Sequence, residues 1–259
     1  MPSPHRGKRP ESRRRRRRRL EEAANPAFLP PLAARALRIV TGDMKPTAWK
    51  EKPAMRSVEW FYDFGSAYSF LALHRIEAVC EENGATLQWR PFLLGAVFKA
   101  TGNQPPATIA AKAVYLLKDL NDWARHYGIS WRMPSNFPPN TLTALRGAYV
   151  AEEVGVLIPY TKRVFQAYWQ EDRDIRLPEV LAALAEEVGV PRSVWGERIA
   201  AQEIKDRLRT TTDEAIRRGA FGAPTFFLDH DNMFWGNDRI PLLVEALRRP
   251  AGPAANLLP

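Results

Sequence analysis

The segment Val58-Glu59-Trp60-Phe61-Tyr62-Asp63-Phe64 runs straight into Gly65-Ser66 and then into a helical pattern, and this order constrains the fold more than any other feature of the chain. The aromatic and β-branched run predicts a buried strand, and Gly65-Ser66-Ala67-Tyr68-Ser69 predicts the turn after it. Phe70, Leu71, Leu73, Ile76 and Val79 fall at helical spacing, so 70–83 reads as a helix, stopped by Asn83-Gly84. Thr86-Leu87-Gln88-Trp89-Arg90-Pro91-Phe92 reads as a second strand. Strand, helix and strand at this spacing build a βαβ unit with parallel strands.

The remainder completes one pattern. Residues 106–218 read as a helical region, cut into several helices by Pro134, Pro138-Pro139, Pro159, Pro178 and Pro191. Gly222-Ala223-Pro224-Thr225-Phe226-Phe227-Leu228-Asp229 reads as a strand entered through a proline, with a turn at His230-Asp231-Asn232 and a hairpin partner in Met233-Phe234-Trp235. An amphipathic helix from Ile240 to Arg249 closes the chain. The sum is βαβ, a helical lobe, then ββα. That order is α/β and thioredoxin-like, with a large helical insertion at about 106–205, and it assigns 57–249 to one domain and 250–259 to a tail.

Residues 1–56 differ in character. Residues 1–20 carry ten Lys/Arg (Arg6, Lys8, Arg9 and Arg13 through Arg19) against Glu11, a net of +9. Subtracting these from 38 basic and 29 acidic residues leaves 28 of each, so everything after position 20 is electrically balanced. The basic balance therefore gives no ground for nucleic-acid binding by the domain, only for non-specific contact through the tail. The arginine run and Pro26, Pro30, Pro31, Pro46 and Pro53 read as a disordered extension. It lacks the apolar core of a secretory signal. Met44 and Met55 are alternative starts, so the extension reads either as a tail or as an over-extended frame. No stretch reaches the roughly 20 apolar residues of a membrane span. Together with the cysteine usage this makes a cytoplasmic location the expectation.

Cys80 is the single cysteine. It excludes an intrachain disulfide, a CxxC redox centre and a multi-thiolate zinc site. His74, His126 and His230 have no metal-ligand spacing and His5 lies in the extension, so no metal is expected. Thioredoxin-like proteins place CxxC at the helix N-terminus after the first strand, where the dipole and free N–H groups favour a thiolate. This chain has Ser66-Ala67-Tyr68-Ser69 there, with hydroxyls at both positions. Taken alone, Ser66 reads first as a helix N-cap.

Four blocks change that reading. Phe61-Tyr62-Asp63-Phe64-Gly65-Ser66-Ala67-Tyr68-Ser69-Phe70-Leu71-Ala72 resembles the opening strand and helix of the 2-hydroxychromene-2-carboxylate isomerase family, which is related to kappa-class glutathione transferases and has a DsbA-like fold. Arg90-Pro91-Phe92-Leu93-Leu94-Gly95 with Lys99-Ala100-Thr101-Gly102-Asn103-Gln104-Pro105-Pro106 resembles its second motif. Gly222-Ala223-Pro224 and Phe234-Trp235-Gly236-Asn237-Asp238-Arg239 resemble its late motifs. The resemblance covers about 57–249, with the blocks in the family's order.

The resemblance implies a glutathione-dependent enzyme. In it Ser66 faces the glutathione sulfur, Asn103 lies near the cofactor, Ala223 precedes a cis Pro224 and pairs with the peptide, and Asn237 and Asp238 hold the γ-glutamyl end. The family commonly has proline where this chain has Ala67. Lys99 and Lys112 are cationic candidates for attracting either the cofactor or the carboxylate of an aromatic 2-oxo acid or hemiketal substrate. Phe137, Asn140 and Arg146 are family-like candidates for the acceptor side. Each has a local alternative: Asn103 a turn, Pro224 a strand entry, Asn140 and Asp238 helix caps, and the lysines solvated side chains. Trp60, Trp89 and Trp235 read as core. Members are often dimers, which admits a homodimer here, although no sequence feature fixes an interface. Three functions are consistent with this: the isomerase, a kappa-like transferase with another electrophile, and a non-catalytic thioredoxin-fold binding module.

Overall fold

The computed structural model describes residues 55–250. The arginine-rich extension up to residue 54 and the tail from 251 lie outside the described residues. Arg56, expected in the extension, is instead fastened to the body: its guanidinium pairs with Asp229 and donates to the carbonyls of Ala246, Leu247 and Arg249.

The opening unit forms as the residues dictate. Strand β1 (Ser57–Tyr62) leads through a turn into helix α1 (Ala67–Glu82), and β2 (Thr86–Pro91) returns parallel to β1, with Trp60 opposite Trp89. Ser66 caps α1, and Gly84 carries the chain out of it at a φ of +63°. Helices α2 (Leu94–Thr101) and α3 (Ala110–Tyr127) follow, each closed by a left-handed glycine, Gly102 and Gly128. Helix α2 lies ahead of the region predicted as helical. Helices α4 (Leu142–Glu153), α5 (Leu157–Trp169), α6 (Pro178–Glu187), α7 (Arg192–Arg198) and α8 (Gln202–Arg217) come next. Then β3 (Thr225–Leu228), β4 (Asn232–Trp235) and α9 (Ile240–Arg248) close the domain. The sheet order is β2-β1-β3-β4, parallel in the first pair and antiparallel in the other two. This is the DsbA-like thioredoxin fold with its helical insertion. Among the described residues no helix is long and apolar enough to cross a membrane.

Alternation along β1 divides the interior. Val58, Trp60 and Tyr62 face the larger core, with Phe70, Ile76, Phe165 and Trp169 from the helices. Phe61 faces the smaller one, with Phe92, Val97, Ala215 and Phe227. On that second face Glu59, Arg90, Glu214 and Arg218 form a charged lattice over the aromatic rings, with the Arg218 guanidinium 3.9 Å from the Phe227 centroid. It fastens α8 to β1 and β2.

The insertion is packed tightly where α4, α5 and α7 meet. A Cβ added at Gly147 would lie 2.2 Å from Tyr160 Oη and 2.4 Å from the Trp195 ring. Tyr160 is also committed there, donating to the Ala144 carbonyl at 3.1 Å. Gly147→Ala is therefore expected to overpack this junction and cost about 1–3 kcal/mol. Thermal unfolding checks it, with a fall in Tm of roughly 2–4 °C per kcal/mol.

Candidate functional site

The turn between β1 and α1 is organised by a carboxylate that sequence reasoning did not single out. Asp63 is 2 % exposed. Its oxygens accept from the Gly65 N–H at 2.8 Å, the Leu94 N–H at 2.9 Å and the Thr141 hydroxyl at 3.1 Å. One side chain thus joins the β1–α1 turn, the start of α2 and the start of α4. Burial pushes its pKa above the ordinary value of 3.8, and the three hydrogen bonds act in the opposite sense. The signal available in the sequence was an acid at the end of an otherwise apolar strand, directly before Gly-Ser.

Ser66 then emerges from this turn, with 7 % exposure. Its N–H donates to the Asp63 carbonyl at 3.0 Å, which closes the turn. Its Oγ accepts from the Ser69 N–H at 3.1 Å, the expected cap. The same hydroxyl donates to the Ala223 carbonyl at 3.0 Å. Ala67 occupies the first helical position, a place that suits proline but does not require it. The turn and the cap form without proline. Gly65 is pressed against the 137–141 loop, since a Cβ there would lie 3.3 Å from Pro139 Cγ.

The late motifs are held at backbone carbonyls. The Ala223–Pro224 peptide is cis. The Thr225 hydroxyl donates to the Gly222 carbonyl at 2.8 Å, and the Gly236 N–H donates to the Pro224 carbonyl at 2.9 Å. The second of these bonds places the turn Asn237–Arg239 beside the cis peptide. The Asn103 amide donates to the Phe221 carbonyl at 2.7 Å and accepts from the Gln104 N–H at 2.8 Å. Ser66, Asn103, Ala223, Pro224, Asn237 and Asp238 are therefore gathered by hydrogen bonds that reach each of them or a residue within two positions of it, although they span 66–238 in the chain.

Asn237 is 1 % exposed, and neither amide atom has a hydrogen-bond partner. The Tyr127 hydroxyl approaches it without adopting normal bonding geometry. A buried, unpaired amide is costly and points to a ligand that completes it. Asp238 is about half exposed, pairs with Arg239 at 3.1 Å, and folds back over Gly236, whose added Cβ would lie 2.5 Å from its Oδ1. It does not cap α9, whose cap position is Arg239.

The other expected residues are less connected. Asn140 is exposed and accepts from the Leu142 N–H at 3.1 Å, so its local turn role is real. Lys99, on the last turn of α2, and Lys112, on the first turn of α3, are exposed and form no ion pair among the described residues. Arg146 is half-buried on α4, with Nε buried and unpaired. No described contact joins Lys112 or Arg146 to Ser66. Phe137 packs on Trp169 across a cis Phe137–Pro138 peptide.

One expectation is corrected. Trp60 and Trp89 are core, but Trp235 is 44 % exposed. It sits on the outer strand β4, packed against Phe221 with centroids 4.6 Å apart and the ring planes tilted by 51°. Its indole lies where a Gly222 side chain would be, with Nε1 2.3 Å from an added Cβ. An edge position and a glycine beneath it place this ring on the surface next to the cis loop. Cys80 lies in the core, 2 % exposed, where burial pushes its thiol up to about 12. It is thus no competing nucleophile.

Residues 57–248 match the DSBA-like thioredoxin domain model, and the chain belongs to that family. Within it, the chain is 32 % identical to a 2-hydroxychromene-2-carboxylate isomerase of Pseudomonas putida over 77 % of its own length and 98 % of the relative. It is equally 32 % identical to glutathione S-transferase kappa 1 of Homo sapiens, over 79 % and 98 %. The solved structure of a 2-hydroxychromene-2-carboxylate isomerase superposes with a TM-score of 0.67 at 32 % identity, covering 74 % of this chain and 94 % of that one. The chain is thus an enzyme of this isomerase and transferase group.

Asp63→Asn replaces one acceptor oxygen by an NH2 group, which then opposes another donor. The substitution is expected to cost about 1–3 kcal/mol in urea unfolding at neutral pH. The sign with pH follows from the raised pKa. Ionisation of Asp63 opposes folding, so the native protein loses this contribution as pH rises from 3.8 through the higher folded value. Asn does not titrate. The stability gap between the two proteins should therefore widen as pH falls through that window.

Proposed function

We propose that the chain is a glutathione-dependent isomerase interconverting 2-hydroxychromene-2-carboxylate and aromatic 2-oxo acids of the trans-o-hydroxybenzylidenepyruvate type, in the breakdown of aromatic compounds. The observation that carries this reading is the Ser66 hydroxyl at the α1 N-terminus, bonded to the Ala223 carbonyl beside the cis Pro224.

The residues present suit glutathione. The buried, open amide of Asn237 and the adjacent Asp238 carboxylate match an amino acid end group, which carries both donors and acceptors. Ala223 offers backbone groups next to the cis peptide for an extended tripeptide. Asn103 supports that strand from the Phe221 side. When bound, glutathione supplies a thiolate that adds reversibly to a conjugated carbon, so that a double bond can rotate before the sulfur leaves.

The protein groups have separate tasks. Ser66 Oγ already accepts from Ser69, so its one proton is the donor that turns from the Ala223 carbonyl to an anionic sulfur. The Ala67 N–H, without a backbone partner among the described residues, and the positive end of the α1 dipole favour the same negative charge. Lys99, Lys112, Asn140 and Arg146 are the candidates for the substrate carboxylate. Among them Arg146 stands out for its unpaired buried Nε.

The kappa relative supports a second reading, in which the same site transfers glutathione to another electrophile. Ultraviolet spectroscopy with 2-hydroxychromene-2-carboxylate separates the two. The isomerase requires a spectral change that depends on glutathione, whereas no change at saturating glutathione leaves only the transferase. Ser66→Ala is expected to lower kcat/KM about 10–100-fold, the loss of one charge-assisted hydrogen bond. It should also lower stability by about 1 kcal/mol through the lost cap. Unchanged activity would remove Ser66 from the mechanism.

A further inference from the structure

Trp235 is a large aromatic side chain that the roles assigned so far leave unused. Among the described residues it is the one exposed tryptophan. Neither it nor the half-buried Phe221 belongs to either buried cluster. The two rings lean on each other instead, with centroids 4.6 Å apart and planes 51° apart, so they form a corner rather than a flat stack. Leaving an indole in water forgoes the stabilisation that burial would bring.

The chain is shaped to hold the indole there. Trp235 stands opposite Thr225 in the β3–β4 ladder, and the Thr225 hydroxyl holds the Gly222 carbonyl at 2.8 Å. The next N–H, of Gly236, holds the Pro224 carbonyl at 2.9 Å. Gly222 has no positive φ, so its backbone would accept a side chain. The obstacle is the ring: an added Cβ would run into the indole Nε1 and lie 2.9 Å from Cε2. The glycine thus lets the indole rest on the chain one residue before Ala223, whose carbonyl takes the Ser66 hydroxyl. Consecutive Cα atoms are about 3.8 Å apart, which puts the ring beside the sulfur site. The Asn103 amide on the Phe221 carbonyl and the turn Asn237–Arg239 directly after Trp235 give the aromatic corner a polar rim. An exposed apolar patch with such a rim is the mark of a binding surface.

We propose that Trp235, backed by Phe221, is the seat for the aryl ring of the electrophile and so determines which electrophiles the site accepts. The inference rests on the glutathione reading above and deepens it. It holds for isomerisation and for transfer alike, because both bring an electrophile to the sulfur beside Ser66. The indole offers a flat apolar face, which an aryl ring covers by offset stacking and a small alkyl group leaves largely in water. Trp235 touches the ligand, Phe221 is a positioning residue that props the indole, and Gly222 leaves the room it needs.

Calorimetry with the full chain tests this, using glutathione as the reference and two conjugates, S-benzylglutathione and S-methylglutathione, that differ only in the aryl ring. The unaltered protein should bind S-benzylglutathione more tightly than S-methylglutathione. Trp235→Leu keeps an apolar side chain on the exposed edge strand and removes the aromatic face. It should weaken S-benzylglutathione about 3–10-fold, the range of one aromatic pair, and leave S-methylglutathione within about twofold. Trp235→Phe keeps an aromatic face and should keep the preference. Equal weakening of both conjugates by Trp235→Leu, or no weakening of either, overturns the proposal, as does equal loss of the preference in the Leu and Phe variants. An unaltered protein that binds glutathione but binds the two conjugates equally, or binds neither, also overturns it and leaves the glutathione reading standing. Failure of the unaltered protein to bind glutathione overturns both.

Discussion

A single buried carboxylate holds together the segments on which the site depends. Asp63 receives two backbone N–H groups and one hydroxyl from the active turn, α2 and α4. Each of those donors would otherwise face the interior unpaired, at a cost of about 1–3 kcal/mol apiece. The arrangement fixes where the chain leaves β1, and so where α1 begins. Trp169 reinforces it from α5, donating its indole N–H to the Phe64 carbonyl at 2.9 Å. The helical insertion is therefore structurally tied to the turn. It serves as a second wall for the loop that carries Ser66, through Thr141 and Pro139 on one side and Trp169 on the other.

The rest of the site is assembled around backbone carbonyls. Ser66 meets the Ala223 carbonyl, Asn103 meets the Phe221 carbonyl, and Gly236 meets the Pro224 carbonyl. These contacts reach the carbonyls on both sides of a short loop, with the cis peptide between Ala223 and Pro224. The loop is thus held at its carbonyls, by the Ser66 hydroxyl and the Asn103 amide from two side chains and by the Gly236 N–H from the backbone. In the proposed function, specificity falls to the side chains beside this loop, chiefly the unpaired Asn237 amide and the adjacent Asp238. The charged lattice on the far face, around Glu59 and Arg218, serves the fold, since its groups are paired with one another.

Much of this was legible in the sequence because it is written in local order. Apolar spacing in 70–83, the Asn83-Gly84 stop and the alternating strands need only near neighbours, and they delimit α1 and β2 to within a few residues. The motif blocks named the residues that the structure brings together around the cis loop. Long-range partners were not legible. Asp63 looks like any strand-end acid until Leu94 and Thr141 are folded onto it. The Tyr68–Asp119 bond joins residues 51 apart that no motif connects. Trp235 was misread because an aromatic in a strand pattern suggests burial, and the pattern does not say which strand is at the edge. Lys99 and Lys112 were chosen for their charge, a property that does not fix where a flexible side chain points.

Ser66 shows why a local reading and a chemical reading of one residue need not compete. A hydroxyl has lone pairs and one proton, and they can be engaged separately. At Ser66 a lone pair accepts from Ser69 and so starts the helix, while the proton is given to Ala223. Capping fixes the oxygen in place at the end of the helix dipole. It leaves the proton free to rotate between a neutral carbonyl and a stronger, anionic acceptor. In the proposed reaction the cap is thus a condition for the chemistry: it holds the donor still without consuming what it donates. A cysteine at this position would bring its own nucleophile. The serine can only serve a sulfur that arrives with a ligand, and a buried Cys80 leaves the chain no other reactive thiol among the described residues.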